Sequence, residues 1–239
     1  MKGSLLLHVP PDHEMRLVAA FFGDGKGFFV EVGANDPRER SQTWHLEQAG
    51  WAGVLIEPQP DLADKLRAMR TAKVFAVACS SPDHAGRTLP LHVAGPLSSL
   101  NRERMAPGAT PKTVIEVPVR TLDSVLTEAG APERFDFLSI DVEGHEFEVL
   151  RGFDIARWHP RLILLEDHVA DFSKHRFLKA AGYRIIRRYE NNGWYVPRGA
   201  ADRCRLSDRW EILRKYYLAL PFRWLRNFSR RLRTPFKGA

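Results

Sequence analysis

Cysteine is scarce in this 239-residue chain. Cys79 and Cys204 stand far apart and make no metal-ligand or redox spacing, which argues against a disulfide scaffold, a zinc ribbon or a thiol-exchange site. A reduced, cytoplasmic setting is the resulting expectation. Long apolar runs are missing too. Leu5-Leu6-Leu7 is too short for a signal-peptide core and is followed by His8 and two prolines. No stretch reaches the roughly 20 apolar residues that cross a bilayer. Internal repeats are absent. Excess charge is confined to one end: from Arg203 onward eleven Lys or Arg face only Asp208 and Glu211, so the tail carries +9 and residues 1–202 carry −2. The net charge of +7 therefore says nothing about what the body binds.

What is present suits one α/β domain with an appendage, since 44% hydrophobic residues can fill a core. Gly27–Val32, Gly53–Ile56 and Lys73–Ala78 read as buried strands. Helices are expected after Ser41, ending at Gly50, and over Pro60–Met69, where proline suits the first turn. Strand and helix alternation predicts a parallel sheet covered on both faces. Residues 80–118 break this rhythm and read as an insertion that shapes the acceptor pocket, with an edge strand at Val114–Val119. The pattern resumes with a helix capped by Thr121, strands at Phe135–Ile140 and Arg161–Leu165, and a helix over Asp171–Ala181. An antiparallel pair, Tyr183–Tyr189 with Trp194–Val196, closes around the turn Asn191-Asn192-Gly193.

The first strand ends in Glu31-Val32-Gly33-Ala34-Asn35, a glycine placed where backbone must approach a ligand closely. A dinucleotide site would read G-x-G-x-x-G, but positions 33–38 read G-A-N-D-P-R and lack two of the three glycines. A ligand without phosphates fits better. Glu31 can accept from an ammonium and Asn35 or Ser41 can hold a carboxylate, which together describe the methionine end of S-adenosylmethionine. Glu57 ends the second strand, where an acidic side chain meets ribose hydroxyls. Cys79 follows the third strand, beside the expected adenine. Gly33 alone also reads as an ordinary turn glycine, and Glu57 alone as a solvated strand end. Their occurrence on consecutive strand ends favours the site.

The fourth strand ends in Ile140-Asp141-Val142-Glu143-Gly144-His145-Glu146, and the fifth in Glu166-Asp167-His168. Strand ends in a parallel sheet face one crevice, so both clusters are expected to serve one substrate. Methyl transfer to a hydroxyl requires removal of the acceptor proton, and a histidine or carboxylate within reach can do this. His145 is the first choice as base and His168 the second; His168 also reads as a capping or core histidine. Asp141, Glu166 and Asp167 are candidates for an all-oxygen site for Mg²⁺ or another divalent metal.

The series F-V-E-V-G-A-N-D (29–36), G-V-L-I-E-P (53–58), V-P-V-R-T-L-D-S-V (117–125) and I-D-V-E-G-H-E-F-E-V-L-R-G (140–152) resembles the FkbM-type methyltransferases, in order across residues 27–198. The resemblance implies a class I, Rossmann-like methyltransferase fold with a seven-stranded, mostly parallel sheet and helices on both faces. It also implies O-methylation, commonly of sugar or polyketide hydroxyls. By the same resemblance Glu31, Gly33, Ala34 and Asn35 form the cofactor turn and Glu57 holds the ribose. Asp141 and Glu143 lie by the sulfonium with Val142 between them, and Ser99 of Ser98-Ser99-Leu100 lies near the cofactor. A more distant similarity, to metal-dependent sugar O-methyltransferases of macrolide pathways, rests on Asp141 with Glu166-Asp167.

The resemblance does not cover residues 203–239. Ser207 or Asp208 is expected to cap a helix carrying Trp210, Leu213 and Tyr217 on one side. Beyond Pro221, Phe222, Leu225, Phe228 and Leu232 recur at near-helical spacing among arginines, the pattern of an interfacial amphipathic helix. The expected organisation is a methyltransferase domain over 1–202 and a basic tail over 203–239. Expected partners are a small-molecule or glycan acceptor and an anionic membrane surface met by residues 207–233, at the inner face of the membrane. A helix packed on the body or on a second copy of the chain is the competing reading of the tail. A nucleic-acid methyltransferase is disfavoured, because Asp141-Val142-Glu143-Gly144 stands where an Asn/Asp-Pro-Pro-aromatic clamp is usual. A non-catalytic adaptor is the remaining alternative; the retained Glu31, Glu57, Asp141 and His145 argue against it.

Overall fold

The computed structural model describes residues 13–105, 108–167, 172–201 and 204–218. The chain divides into two compact units, residues 1–161 and 162–239.

The first unit opens with a helix the sequence reading missed, α1 (His13–Phe22). Then come β1 (Phe28–Val32), α2 (Trp44–Gln48), β2 (Ala52–Ile56), α3 (Pro60–Met69) and β3 (Lys73–Phe75). β1 pairs in parallel with β2, and β2 with β3. The expected single strand over 73–78 is instead broken. Its end, β4 (Ala78–Cys79), joins a second small sheet with β5 (Thr88–Val93) and β6 (Thr113–Arg120), in the order β4-β6-β5. The insertion therefore builds a sheet of its own around Ala78, Leu91, Val117 and Val119. Pro118 stands in the central strand β6, opposite Thr88 and next to Val119, whose amide donates to the Arg87 carbonyl at 2.9 Å.

The rest of this unit comprises α4 (Leu122–Ala129), β7 (Phe137–Ile140), α5 (Glu146–Arg151) and α6 (Ile155–Trp158). Thr121 caps α4 as expected, its hydroxyl accepting from the Ser124 amide. β7 pairs in parallel with the other side of β1. β1, β2 and β7 are apolar throughout except for Glu31 and Ser139, since parallel strands buried on both faces need near-continuous hydrophobic sequence. Gly53 makes room for the Phe29 ring, where a side chain would collide.

The second unit contains β8 (Leu162–Glu166), α7 (Ser173–Ala180), β9 (Tyr183–Tyr189), β10 (Asn192–Pro197) and α8 (Leu206–Ile212), which widens into a π-helical segment, Leu213–Leu218. β10 pairs antiparallel with β8 and β9. The turn lies one residue earlier than expected, at Glu190-Asn191, with Glu190 itself in the left-handed region. Strand order runs β3-β2-β1-β7-β8-β10-β9, a seven-stranded mixed sheet parallel through its first four strands, as the family resemblance implied. Neither Ser207 nor Asp208 is the cap of α8. Arg205 holds that position, and Asp208 accepts from its amide at 3.1 Å. The expected amphipathic stretch at 222–233 lies outside the described residues. Among those described, no helix is long and apolar enough to cross a membrane.

Candidate functional site

The ends of β1, β2 and β7 meet at Gly33. Its amide donates to the Ile56 carbonyl at 2.9 Å, while the Asp141 amide donates to Val32 at 3.0 Å. Gly33 has φ +84°, and a Cβ there would run into the Asp141 carbonyl oxygen. Only glycine serves at this crossing. Asn35 is also left-handed, and its amide donates to Glu57 Oε2 at 2.8 Å. The other oxygen of Glu57 accepts from the Gln59 amide at 2.9 Å. Burial pushes the Glu57 carboxyl above its ordinary range, and these amides act against that shift. The Gln59 side chain also bonds this carboxylate, which leaves a lone-pair direction for a ribose hydroxyl.

Two contiguous cavities open from this crossing. The first, about 560 Å³, is lined by Gly33, Asn35, Glu57, Cys79, Val142 and His145 among others. The second, about 600 Å³, includes Glu31, Ala34, Arg40 and Gln42. Gly33, Asn35, Asp141 and Glu143 border both. Cys79 belongs to the first cavity wall, and burial pushes its thiol up to about 12, which makes it an apolar contact and no nucleophile.

Glu31 is held from behind. Its carboxylate accepts from the Gln42 amide at 2.8 Å and from the Ser41 and Thr43 hydroxyls at 3.1 and 2.5 Å. Arg70, with no side-chain exposure, backs this group through Thr43 and Ser41 at 2.9 and 3.2 Å. Burial raises the Glu31 carboxyl, opposed by Thr43, Gln42 and Arg70. Ser41 thus supports Glu31 and is absent from the lining of both cavities.

The loop after β7 turns through two left-handed residues, Glu143 and Gly144. The Gly144 amide donates to Glu146 Oε1 at 2.7 Å. Burial, reinforced by Asp141 and Glu146, pushes the Glu143 carboxyl up to about 7. Ser99 ties this loop to the insertion: its hydroxyl donates to the Glu143 carbonyl at 2.7 Å, and its backbone bridges His92. The neighbouring Gly95, Pro96, Ser98 and Leu100 form the cavity wall, and Ser99 itself stays behind it. His145 is buried at the cavity, where loss of solvation lowers its proton affinity. Its Nε2 lies 2.9 Å from the Ser80 hydroxyl, which lies 2.9 Å from His84 Nδ1.

Residues 31–185 match the Methyltransferase FkbM domain. The chain belongs to the FkbM methyltransferase family. Among solved structures, a methyltransferase FkbM from Methylobacillus flagellatus is 16% identical with a TM-score of 0.45, over 72% of this chain and 43% of its own. Monomeric WbdD is 14% identical with a TM-score of 0.45, over 80% of this chain and 42% of its own. The N-terminal domain of human METTL16 in complex with SAH is 13% identical with a TM-score of 0.42, over 80% and 71%. The chain spans less than half the length of the first two. No curated protein matches it.

The expected divalent-metal site finds no support. Among the described residues no three His, Cys, Asp or Glu side chains form a group able to hold an ion. In the second unit Asp167 is fully buried and engaged otherwise, accepting from Tyr216 at 2.5 Å and Tyr195 at 3.5 Å, with Arg188 at 3.9 Å. At Glu166 the backbone carbonyl accepts from Lys174 at 2.7 Å. His168 lies outside the described residues. The sequence reading missed Arg70, Thr43, Gln59, Ser80 and His84. Ser80 was within reach, because it directly follows a strand-end residue already assigned to the site.

Proposed function

We propose that this methyltransferase acts on oxygen, methylating a hydroxyl of a sugar, glycan or glycolipid precursor. The supporting observation is that two groups fit to take a proton, His145 and Glu143, line the same cavity as Glu57 and Gly33. When bound, S-adenosylmethionine supplies the methyl group from its sulfonium. Glu57 and Asn35 are set to receive the ribose, and Glu31, fixed by Arg70, Thr43 and Ser41, to receive the ammonium. Asp141 and Glu143 border both cavities and supply negative charge for the sulfonium. His145, kept neutral at physiological pH by burial, removes the acceptor's proton as its oxygen attacks. A second assignment gives that task to Glu143, because its carboxyl titrates at about 7, near the pH at which a general base works best.

For the tail, the proposal is that α8 and the basic residues C-terminal to it rest on an anionic membrane. Leu206, Trp210, Leu213 and Tyr217 recur at helical spacing, and Leu206 and Trp210 are 83% and 60% exposed. Arg205 and Arg209 flank them, as in an interfacial helix. Flotation of the full chain with phosphatidylserine vesicles tests this. Loss of binding in Leu206→Ser/Trp210→Ser supports it, and equal binding to neutral vesicles would refute it.

The acceptor proposal is tested by methyl transfer from labelled S-adenosylmethionine to activated sugars, lipid-linked glycans and RNA. An O-methyl ether on a glycan acceptor supports it. Label found only in RNA bases would overturn it.

A further inference from the structure

Ser80 is completely buried and places its hydroxyl between two imidazoles, 2.9 Å from each. One of these, His145, lines the cofactor cavity; the other, His84, is half-exposed on the turn after β4. The rings stand 6.5 Å apart, too far for a direct bond. A hydroxyl with a single proton donates to one neutral imidazole and accepts from the other, so the three groups form a directed chain from the cavity to the surface. The sequence separates Ser80 from His145 by the whole insertion, and the Ser81 hydroxyl lies 3.4 Å from the same His84 nitrogen.

We propose that Ser80 and His84 are positioning residues that carry the acceptor's proton from His145 to solvent. This rests on His145 being the base. With its Nε2–H donating to Ser80 and the Ser80 hydroxyl donating to His84 Nδ1, His145 Nδ1 holds a lone pair. That nitrogen takes the proton from the acceptor hydroxyl as the O–CH₃ bond forms and the S–CH₃ bond breaks. His145 Nε2 then releases its proton to Ser80 Oγ, Ser80 passes its own to His84 Nδ1, and His84 gives up Nε2–H to water. One proton leaves, and both rings finish as the other neutral tautomer, resetting by exchange with water between turnovers. The route spares the buried pocket a lasting imidazolium. Glu146 and Glu148 of α5 face His145 and favour its charged form, while His84 and Arg104 oppose it.

Nitrogen-15 NMR of the full chain saturated with S-adenosylhomocysteine tests the chain without needing the acceptor. In the unaltered protein, one of the two nitrogens facing Ser80 should carry hydrogen, and the two rings should titrate interdependently. Ser80→Ala should separate them into two independent titrations and Ser80→Thr should restore the link. His84→Gln, on a half-exposed turn the fold tolerates, should shift the His145 midpoint upward by removing a like charge. Unchanged His145 shifts and titration in both Ser80→Ala and His84→Gln would overturn the proposal. Turnover separates this from the parent reading, using the acceptor from the methyl-transfer screen. If His145→Gln is inactive while the rings prove independent, only the relay falls. If His145→Gln retains full turnover, the base assignment falls, and the relay with it.

Discussion

The Asn35 amide donates to the Glu57 carboxylate at 2.8 Å, joining the left-handed turn after β1 to the end of β2. The contact sets the orientation of the acidic group before any ligand arrives, so the cost of ordering it is met by the fold.

Glu57→Gln should therefore weaken S-adenosylhomocysteine and cost some stability, because the amide of either Asn35 or Gln59 then faces the NH2 of glutamine and not an acceptor. Hydrogen bonds to a charged acceptor are worth about 1.5–3 kcal/mol, so calorimetry should show roughly a ten- to hundredfold loss of affinity. An unaltered dissociation constant would remove Glu57 from the cofactor site.

How far this site was legible in the sequence depends on the range of each interaction. Glu31, Gly33, Asn35 and Glu57 were readable because strand ends announce themselves through apolar runs followed by glycine or acid. The Asp141–His145 loop was readable for the same reason. Arg70 was not, since its partners Glu47, Thr43 and Ser41 lie 23 to 29 residues away and nothing in its surroundings marks a buried cation. The break between β3 and β4 was hidden too: K-V-F-A-V-A has uniform strand character, and only the separate pairings of its two ends divide it. Ser41 and Ser99 stand beside the cavities and bond to Glu31 and to the Glu143 carbonyl, and such hydrogen-bond partners are a property of the folded chain.

Arg70 gives the clearest stability prediction. It pairs with Glu47, and both side chains are buried. Arg70→Met should cost about 3–5 kcal/mol in urea unfolding, the usual penalty for leaving one buried charge alone. A pH dependence arises from the same pair. Burial raises the Glu47 carboxyl, but Thr71 and Arg70 outweigh this and hold it below its ordinary 4.5. A depressed folded pKa stabilises the protein above 4.5, and that contribution is lost as pH falls through the folded value. Glu47→Gln should flatten this acid limb; an identical limb would contradict the assignment.

Glu143 predicts a pH dependence in binding, centred nearer neutrality. Its carboxyl titrates at about 7, raised by burial and by Asp141 and Glu146. A sulfonium favours the ionised carboxylate, so S-adenosylmethionine should bind more tightly as pH rises from 6 to 8. S-adenosylhomocysteine, which lacks that charge, should respond much less. The ratio of the two affinities, followed by calorimetry, should climb through pH 7 and become flat in Glu143→Gln. A ratio independent of pH in the unaltered protein would place Glu143 away from the sulfonium.

Tyr216 ties the helix over 206–218 to the strands of the second unit. Its hydroxyl donates to Asp167 at 2.5 Å and accepts from Arg188 at 3.1 Å. Asp167 is wholly buried, and its other oxygen finds no partner among the described residues. Tyr216→Phe removes the shortest bond this carboxylate has and deletes almost no apolar contact, so the change isolates the polar term. An unsatisfied buried group costs about 1–3 kcal/mol, which should appear as faster hydrogen exchange across residues 206–218. Tyr217, half-exposed beside it, provides the control: Tyr217→Phe should leave exchange unaltered. Equal protection in Tyr216→Phe and the unaltered chain would show that apolar packing of the ring alone, without the Asp167 bond, holds this segment down.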